Sequence, residues 1–333
     1  MGDTKPGRRL APERGAAVVM ALGLDMLGEP PATWHPVVWF GKLIHTWERG
    51  APCGHLPQML YGGVILVLAA PAAFLPAAVV HLIAKRAHRH AKQRGFLCSG
   101  SLLYALIEGA GLKPCFAWRM LVEAGRSVRQ ALERSDLPAA REVLRNLVSR
   151  DRTGLSEEQV AAAAIESLAE NLSDSIVAPL CFYALFGLPG AAVYRFVNTS
   201  DSMLGYHGHY EYLGKMAARL DDVFNLLPAR LTALLIIALA PLYGGNRRTA
   251  WRIWRRDAGK TASPNAGHPM AAAAGALGLP LEKVDHYLLG NPGKTVTPRE
   301  IRQAEQMVWW VGGGAFALTV ACKIRWRLFS WDR

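Results

Sequence analysis

The sequence predicts an all-α, polytopic integral membrane protein with about four to five apolar membrane segments, some of them re-entrant, plus cytosolic helical loops. Three observations predict it. Hydrophobic residues make up 51% of the 333-residue chain and charged residues only 19%. The apolar residues are gathered into long runs. The basic residues, which bring the formal net charge to +12, stand in blocks beside those runs, as they do in cytoplasmic loops of membrane proteins. A mean hydropathy of +0.12 leaves room for sizeable polar loops. A nucleic-acid binder could share the charge, but long apolar runs would not separate its basic residues, so no nucleic-acid partner is expected. The five cysteines, Cys53, Cys98, Cys115, Cys181 and Cys322, are scattered and form no CxxC pair, which argues against a zinc site or disulfide framework. No cleavable signal peptide is expected: the apolar run after the basic start contains Asp25 and lacks a clear small-residue cleavage site.

Taken in order, residues 16–28 are apolar but short for a full crossing. They could extend through "VVWFGKLI" if "EPPATWHP" is a break buried against protein. Residues 60–84 are the best spanning candidate, since Pro71 and Pro76 are tolerable where neighbouring helices satisfy the freed carbonyls. The basic block "KRAHRHAKQR" places the following residues in the cytoplasm, opening a cytosolic helical region over about 85–172. Within it, "AWRMLVEAGRSVRQALER" and "SDLPAAREVLRNLVSRD" show apolar residues at helical spacing. Ser156 with Gln159 three residues later is a capping-box signature. In the helix that follows, Val160, Ala164, Ile165, Leu168 and Leu172 form an apolar stripe, with Glu166, Ser167, Glu170, Asn171 and Asp174 opposite. Residues 176–194 are apolar but broken by "GLPG", which permits a re-entrant path. Residues 226–243 and 309–322 are the remaining membrane candidates, each followed by basic residues. If every run crosses, residues 195–225 and the basic tail both lie outside, against the positive-inside trend. The whole chain, 1–333, reads as a single membrane-embedded domain.

Four polar clusters abut the apolar runs. They offer His35; Arg150, Asp151 and Arg152; Asn198, Asp201, Asp221, Asp222, Asn225 and Arg230; and Ser263, Asn265 and His268. The acidic residues carry the argument, because carboxylates at membrane edges are costly unless paired, hydrated or bound to metal. Glu166, Glu170 and Asp174 follow one another at four-residue steps, where like charges weaken a helix slightly. Oxygen-rich sets of this kind suit Mg²⁺, and arginines suit phosphate through their forked donors. The residues therefore point to a membrane enzyme handling a phosphorylated substrate with Mg²⁺. A Mg²⁺-dependent membrane prenyltransferase, suggested by "DDVFN", and a non-enzymatic transporter with intramembrane carboxylates stay open at this point.

The stretches "LDMLGEPPATWHPVVWFGKLI", "SRDRTGLSEEQVAAAAIESLAENLSDSIVAPLCFYALFGLPGAAVYRFVNTSDSMLGY", "AARLDDVFNLLPARLTALL" and "SPNAGHPMAAAAGALG" resemble the cobalamin-biosynthesis CobD/CbiB family, the adenosylcobinamide-phosphate synthases. They run in order from about residue 22 to 290, and the long central stretch is the most specific. Departures from the family pattern are small: Glu29, Ser200, His207, His268 and Met270, the last two weakening a direct role for those positions. More distant membrane proteins linked to β-lactamase induction fit less well, because "NTSDSM" and "SPNAGHP" are present together.

The resemblance implies a multi-pass enzyme of the cell inner membrane acting late in cobalamin (vitamin B12) biosynthesis. Such an enzyme is an ATP-dependent, amide-forming ligase. It joins the corrinoid adenosylcobyric acid to (R)-1-amino-2-propanol O-phosphate, or to aminopropanol itself. Besides those substrates and the lipid bilayer, association with other late cobalamin-assembly enzymes is expected. ATP and Mg²⁺ are the expected cofactors, with no tightly bound prosthetic group. A carboxylate and an ammonium do not condense in water, so activation through ATP supplies a leaving group and a base must free the amine. Chemistry and motif membership then assign catalysis to Glu166, Glu170 and Asp201. Substrate binding falls to His35, Arg150, Asp151, Arg152, Asn171, Asn198, Arg230, Ser263 and Asn265, and metal binding to Glu166, Glu170, Asp174, Asp221 and Asp222.

Overall fold

The computed structural model describes residues 12–31, 33, 35–148, 152–204, 211–283 and 286–325. Arg150 and Asp151, two of the expected substrate contacts, and His207 lie outside the described residues. Among those described, the structure is helical apart from one small hairpin, in agreement with the all-α expectation. Four helical stretches, His55–Gln93, Glu157–Leu204, Lys215–Tyr243 and Pro298–Arg325, are long and apolar enough to cross a membrane.

The chain forms two compact units, each assembled from separated segments. The first takes residues up to Phe116, then Pro179–Arg219, then the chain from Phe316 onward. It contains α1 (Pro12–Leu27), α2 (Pro36–Glu48), α3 (His55–Gln93) and α4 (Leu97–Leu112). The run at 16–28 became α1, a helix of only 16 residues that is not among the membrane candidates. The run at 60–84 lies within α3, whose 39 residues exceed the roughly 20 needed to span the hydrocarbon, so the helix continues through the basic block. Leu60, Val64, Val67, Leu68, Leu75 and Val79 of α3 are exposed, the pattern of a helix facing lipid. The region expected to be cytosolic from about 85 begins with the end of α3. Its next helix, α4, packs against α1 and α3 within this first unit.

The second unit comprises Ala117–Ala178 and Leu220–Ala315. It holds α5 (Trp118–Glu133), α6 (Leu137–Leu144) and α7 (Glu157–Leu172), then α10 (Arg247–Asp257) and α11 (Gly267–Leu277). Strands β1 (Leu281–Lys283) and β2 (Tyr287–Leu289) pair antiparallel, Leu281 opposite Leu289 and Lys283 opposite Tyr287. Three helices contribute to both units: α8 (Ala178–Leu204), α9 (Lys215–Leu239) and α12 (Pro298–Arg325).

Local signals are realised closely. The capping box is complete: Gln159 N–H donates to Ser156 Oγ at 3.2 Å, and Ser156 N–H donates to Gln159 Oε1 at 2.9 Å. The "GLPG" break is real. Gly187 takes φ 72° and ψ −165° inside α8, a conformation open to glycine and strained for other residues, and Pro189 follows it.

The polar stripe of α7 lies largely inside the unit: Val160 to Ala169 are all buried, Glu166 and Ser167 included, while Glu170, Asn171 and Asp174 are half-buried. The reason is the run of alanines: short side chains let α5, α6, α11 and β1 pack around α7 on several sides.

Candidate functional site

In the second unit, α7 leads into a single π turn over Ser173–Val177 before α8 begins. Wide turns of this kind recur at functional sites. Here it falls within the carboxylate motif and carries Asp174, while Ser173 Oγ is buried with no hydrogen-bond partner among the described residues. Glu166, 7% exposed, accepts a hydrogen bond from the Tyr287 hydroxyl at 2.7 Å, and Met270 Sδ lies 4.0 Å from that hydroxyl. Glu170, Asn171 and Asp174 are half-buried. Asn171 Nδ2 donates to the Ser167 carbonyl at 3.0 Å and to its Oγ at 3.1 Å, and Ser167 Oγ donates onward to the Leu147 carbonyl at 2.7 Å. Asn171 and Ser175 open onto a cavity of about 460 Å³ that Glu123, Ser127 and Asn146 also line.

The "DDVFN" helix and the "SPNAGHP" loop, far apart in sequence, meet in this unit. Asn265 Nδ2 donates to the Asp222 carbonyl at 2.7 Å, and Arg230 Nη1 donates to Asn265 Oδ1 at 3.2 Å and to the Leu226 carbonyl at 2.7 Å. Asn225 Nδ2 donates to Asp221 Oδ2 at 2.8 Å, one helical turn apart. Ser263 Oγ accepts from the Asn265 and Ala266 N–H groups and so shapes the loop. Trp254 Nε1 donates to His268 Nδ1 at 3.0 Å. Burial, and then the nearby Arg230 charge, lower the His268 pKa, which suits a neutral ring whose Nδ1 accepts. Arg152 is half-buried, with Nη1 near the Val148 carbonyl.

Three expected site residues belong to the first unit. His35 caps α2, its Nδ1 accepting from Val37 N–H at 3.2 Å, and its Nε2 is 3.3 Å from Glu29 Oε2. Lys113 Nζ bridges Glu29 Oε1 at 2.7 Å and the fully buried Asp25 Oδ1 at 2.9 Å. Burial would raise the Glu29 pKa, but hydrogen bonds from His35 and Lys113 hold it below the usual carboxylate range. The "HP" motif is thus the half-buried end of a polar network that runs through Glu29 to the buried Lys113 and Asp25. Asn198 Oδ1 accepts from Arg195 Nη1 at 3.4 Å, and Asp201 lies half-buried in the last turn of α8.

Tyr287 and Lys113 are what sequence reasoning missed. Lys113 carried no motif signal. Tyr287 sits on a strand of three residues, too short for alternation to reveal it.

A family model described as CobD/Cbib protein matches residues 18–308. The chain belongs to the CobD/CbiB family. Its relatives include the cobalamin biosynthesis protein CobD of Dehalococcoides mccartyi, 44% identical over 285 residues, covering 85% of this chain and 89% of the relative. The Geobacter metallireducens protein of the same name is 42% identical over 294 residues, covering 84% and 85%. No solved structure matches.

The matched region of this CobD/CbiB protein contains every expected site residue. Among the described residues, no three His, Cys, Asp or Glu side chains come together as a ready-made metal cluster. Mg²⁺ does not require one, because it usually takes one or two carboxylates and fills its other positions with water and substrate phosphate. Half-buried Glu170, Asp174, Asp221 and Asp222 are hard oxygen donors of that kind.

Proposed function

We propose that this protein is the amide-forming ligase of late cobalamin assembly, in the cell inner membrane. It joins adenosylcobyric acid to (R)-1-amino-2-propanol O-phosphate, or to aminopropanol, at the expense of ATP. The observation that carries the reading is the buried Glu166–Tyr287 pair on α7, set beside the π turn within the long family stretch. A carboxylate largely excluded from water and hydrogen-bonded by a phenol is suited to take a proton from an ammonium nucleophile. Tyr287 fixes its orientation. Glu170 and Asp174, with Asp221 and Asp222, would hold Mg²⁺, which supplies charge neutralisation at the phosphoryl group when bound. Arg230 and Arg152, with Arg150, would bind phosphate, and Asn171 would line the substrate cavity. Asp201, Asn198 and His35 are assigned to the same reaction through their motifs. The cobalamin-biosynthesis names of the relatives support the corrinoid as substrate.

The test is an assay of purified protein in detergent with adenosylcobyric acid, ATP, Mg²⁺ and each amine, read by mass spectrometry. The expected result is a corrinoid product heavier by the amino-alcohol arm, dependent on ATP. A folded, ATP-supplied sample that adds neither amine overturns the proposal.

A further inference from the structure

In the first unit, a cavity of about 240 Å³ is lined by residues of α2, α3, α4 and α8. Leu188, Ala192 and Arg195 follow the Gly187 break of α8 at helical spacing and so share the face that borders it. Arg195 is the only charged side chain among the described lining residues, and the rest of that lining is apolar apart from the Cys115 thiol. Arg195 Nη1 donates to Asn198 Oδ1 at 3.4 Å, longer than an ordinary hydrogen bond. Its Nε is buried with no hydrogen-bond partner among the described residues. Arg195 lies in the helical stretch Glu157–Leu204, which is long and apolar enough to cross a membrane. A guanidinium in such a segment is costly unless a partner completes its donors, and its fork matches phosphate oxygens.

One cation in an apolar surround favours a ligand with one negative charge and an apolar body. A phosphodiester attached to acyl chains is such a ligand. An amino-alcohol phosphate is not, because it carries nearly two negative charges and an ammonium. The described lining offers neither a second cation nor a carboxylate for those groups. The volume is below the roughly 300–1,000 Å³ of pockets that enclose a whole small ligand, so part of the ligand lies outside. The α3 wall leads to lipid: its lining residues Ala72 and Pro76 are exposed, beside the exposed Leu68, Leu75 and Val79. Trp39, also in the lining, is 50% exposed, and tryptophan is a residue type that settles at headgroup level. Gly111 keeps the space open, since an added Cβ would stand 2.7 Å from Leu188 Cδ2 and 2.9 Å from Val80 Cγ1.

We propose that this cavity seats a phospholipid, with its phosphodiester on the Arg195 guanidinium and an acyl chain along the α3 wall. Binding there does not depend on the ligase reaction. The test uses the full chain in detergent, mixed with phosphatidylglycerol or with diacylglycerol of the same chains, and bound lipid is counted by native mass spectrometry. Wild type should retain phosphatidylglycerol over diacylglycerol. Arg195→Gln should lose roughly ten-fold in that retention, the loss expected for a charge-assisted hydrogen bond. Arg126→Gln, which removes an exposed arginine of α5, should not. Ala72→Trp, which fills the apolar wall and leaves the guanidinium in place, should also lower retention. Gel filtration and helicity establish that each variant is folded. Arg195→Gln decides, and Ala72→Trp decides in its place if Arg195→Gln fails to fold. Equal retention of the two lipids, wild-type retention in the deciding variant, or equal loss in Arg126→Gln would each overturn the proposal. Full displacement of the lipid by millimolar inorganic phosphate would overturn it too, by identifying a free-anion site.

Discussion

At the scale of single residues, the proposed base Glu166 is 7% exposed and accepts a hydrogen bond from Tyr287. Its position among carboxylates spaced four apart is local information. Its burial depends on how closely four other elements approach an alanine-rich helix, which no window of sequence reports. Its partner Tyr287 is more than a hundred residues away. That pair separates a catalytic from a structural role. Glu166→Gln keeps the shape and can still accept the Tyr287 hydrogen bond, so the protein should fold, yet amide formation should fall roughly 100-fold or more if Glu166 is the base. Tyr287→Phe leaves a buried carboxylate short of a donor, costing about 1–3 kcal/mol of stability. It should also move the acidic limb of the pH–rate profile, which loss of packing alone would not do. Steady-state kinetics and thermal unfolding of the two variants check both expectations. Near-wild-type turnover in Glu166→Gln would move the base elsewhere.

At the scale of elements, signals written in consecutive residues were legible: the capping box of α7, the break at Gly187, the long apolar helix α3. The π turn and the hairpin were not, because one is a single widened turn without its own composition and the other rests on tertiary support. That support is visible. Asp257, at the end of α10 and fully buried, accepts from Arg256 and Lys260 and from Gly290 N–H at 2.8 Å, just past β2. Arg256 in turn donates to the Gly290 carbonyl. Gly290 has φ 88°, and an added Cβ would stand 2.0 Å from the Leu279 carbonyl oxygen. Gly290→Ala should therefore displace the hairpin and, through Tyr287, reduce activity, with a stability loss of roughly 1–3 kcal/mol. Burial alone would raise the Asp257 pKa, but its three donors hold it down to about 2. The stability this contributes is complete above the ordinary carboxylate range and is lost as pH falls through about 2. With Arg256 and Lys260 nearly half exposed, solvent screening limits it to no more than about 2 kcal/mol. Asp257→Asn should remove that acid dependence, as unfolding followed from pH 5 downward would show.

At the scale of the whole molecule, membrane character and helical class follow from composition and run length alone, since both depend on sums over many residues. The division into two units does not, because the chain passes between them at residues 116–117, 178–179, 219–220 and 315–316 without any linker composition. Three of those crossings fall at or inside helices long enough to span a membrane, so no loop marks them. The interleaving has a consequence for truncation. Residues 1–116 end where the first unit's opening segment ends, yet that unit also needs Pro179–Arg219 and the chain beyond Phe316. In the intact fold Phe116 packs edge-on against Phe316 at 5.1 Å, Phe40 meets Phe196 at 5.6 Å, and Glu108 is bonded to Tyr183. A fragment of residues 1–116 loses all three partners, the Tyr183 hydrogen bond to the buried Glu108 among them. It should be degraded or aggregate, whereas co-expressing it with residues 117–333 should restore a soluble, detergent-stable complex, because the severed bond lies at a boundary between units. Gel filtration and limited proteolysis of the two preparations check this, and a stable, monodisperse 1–116 fragment would show that the first unit does not depend on its later segments.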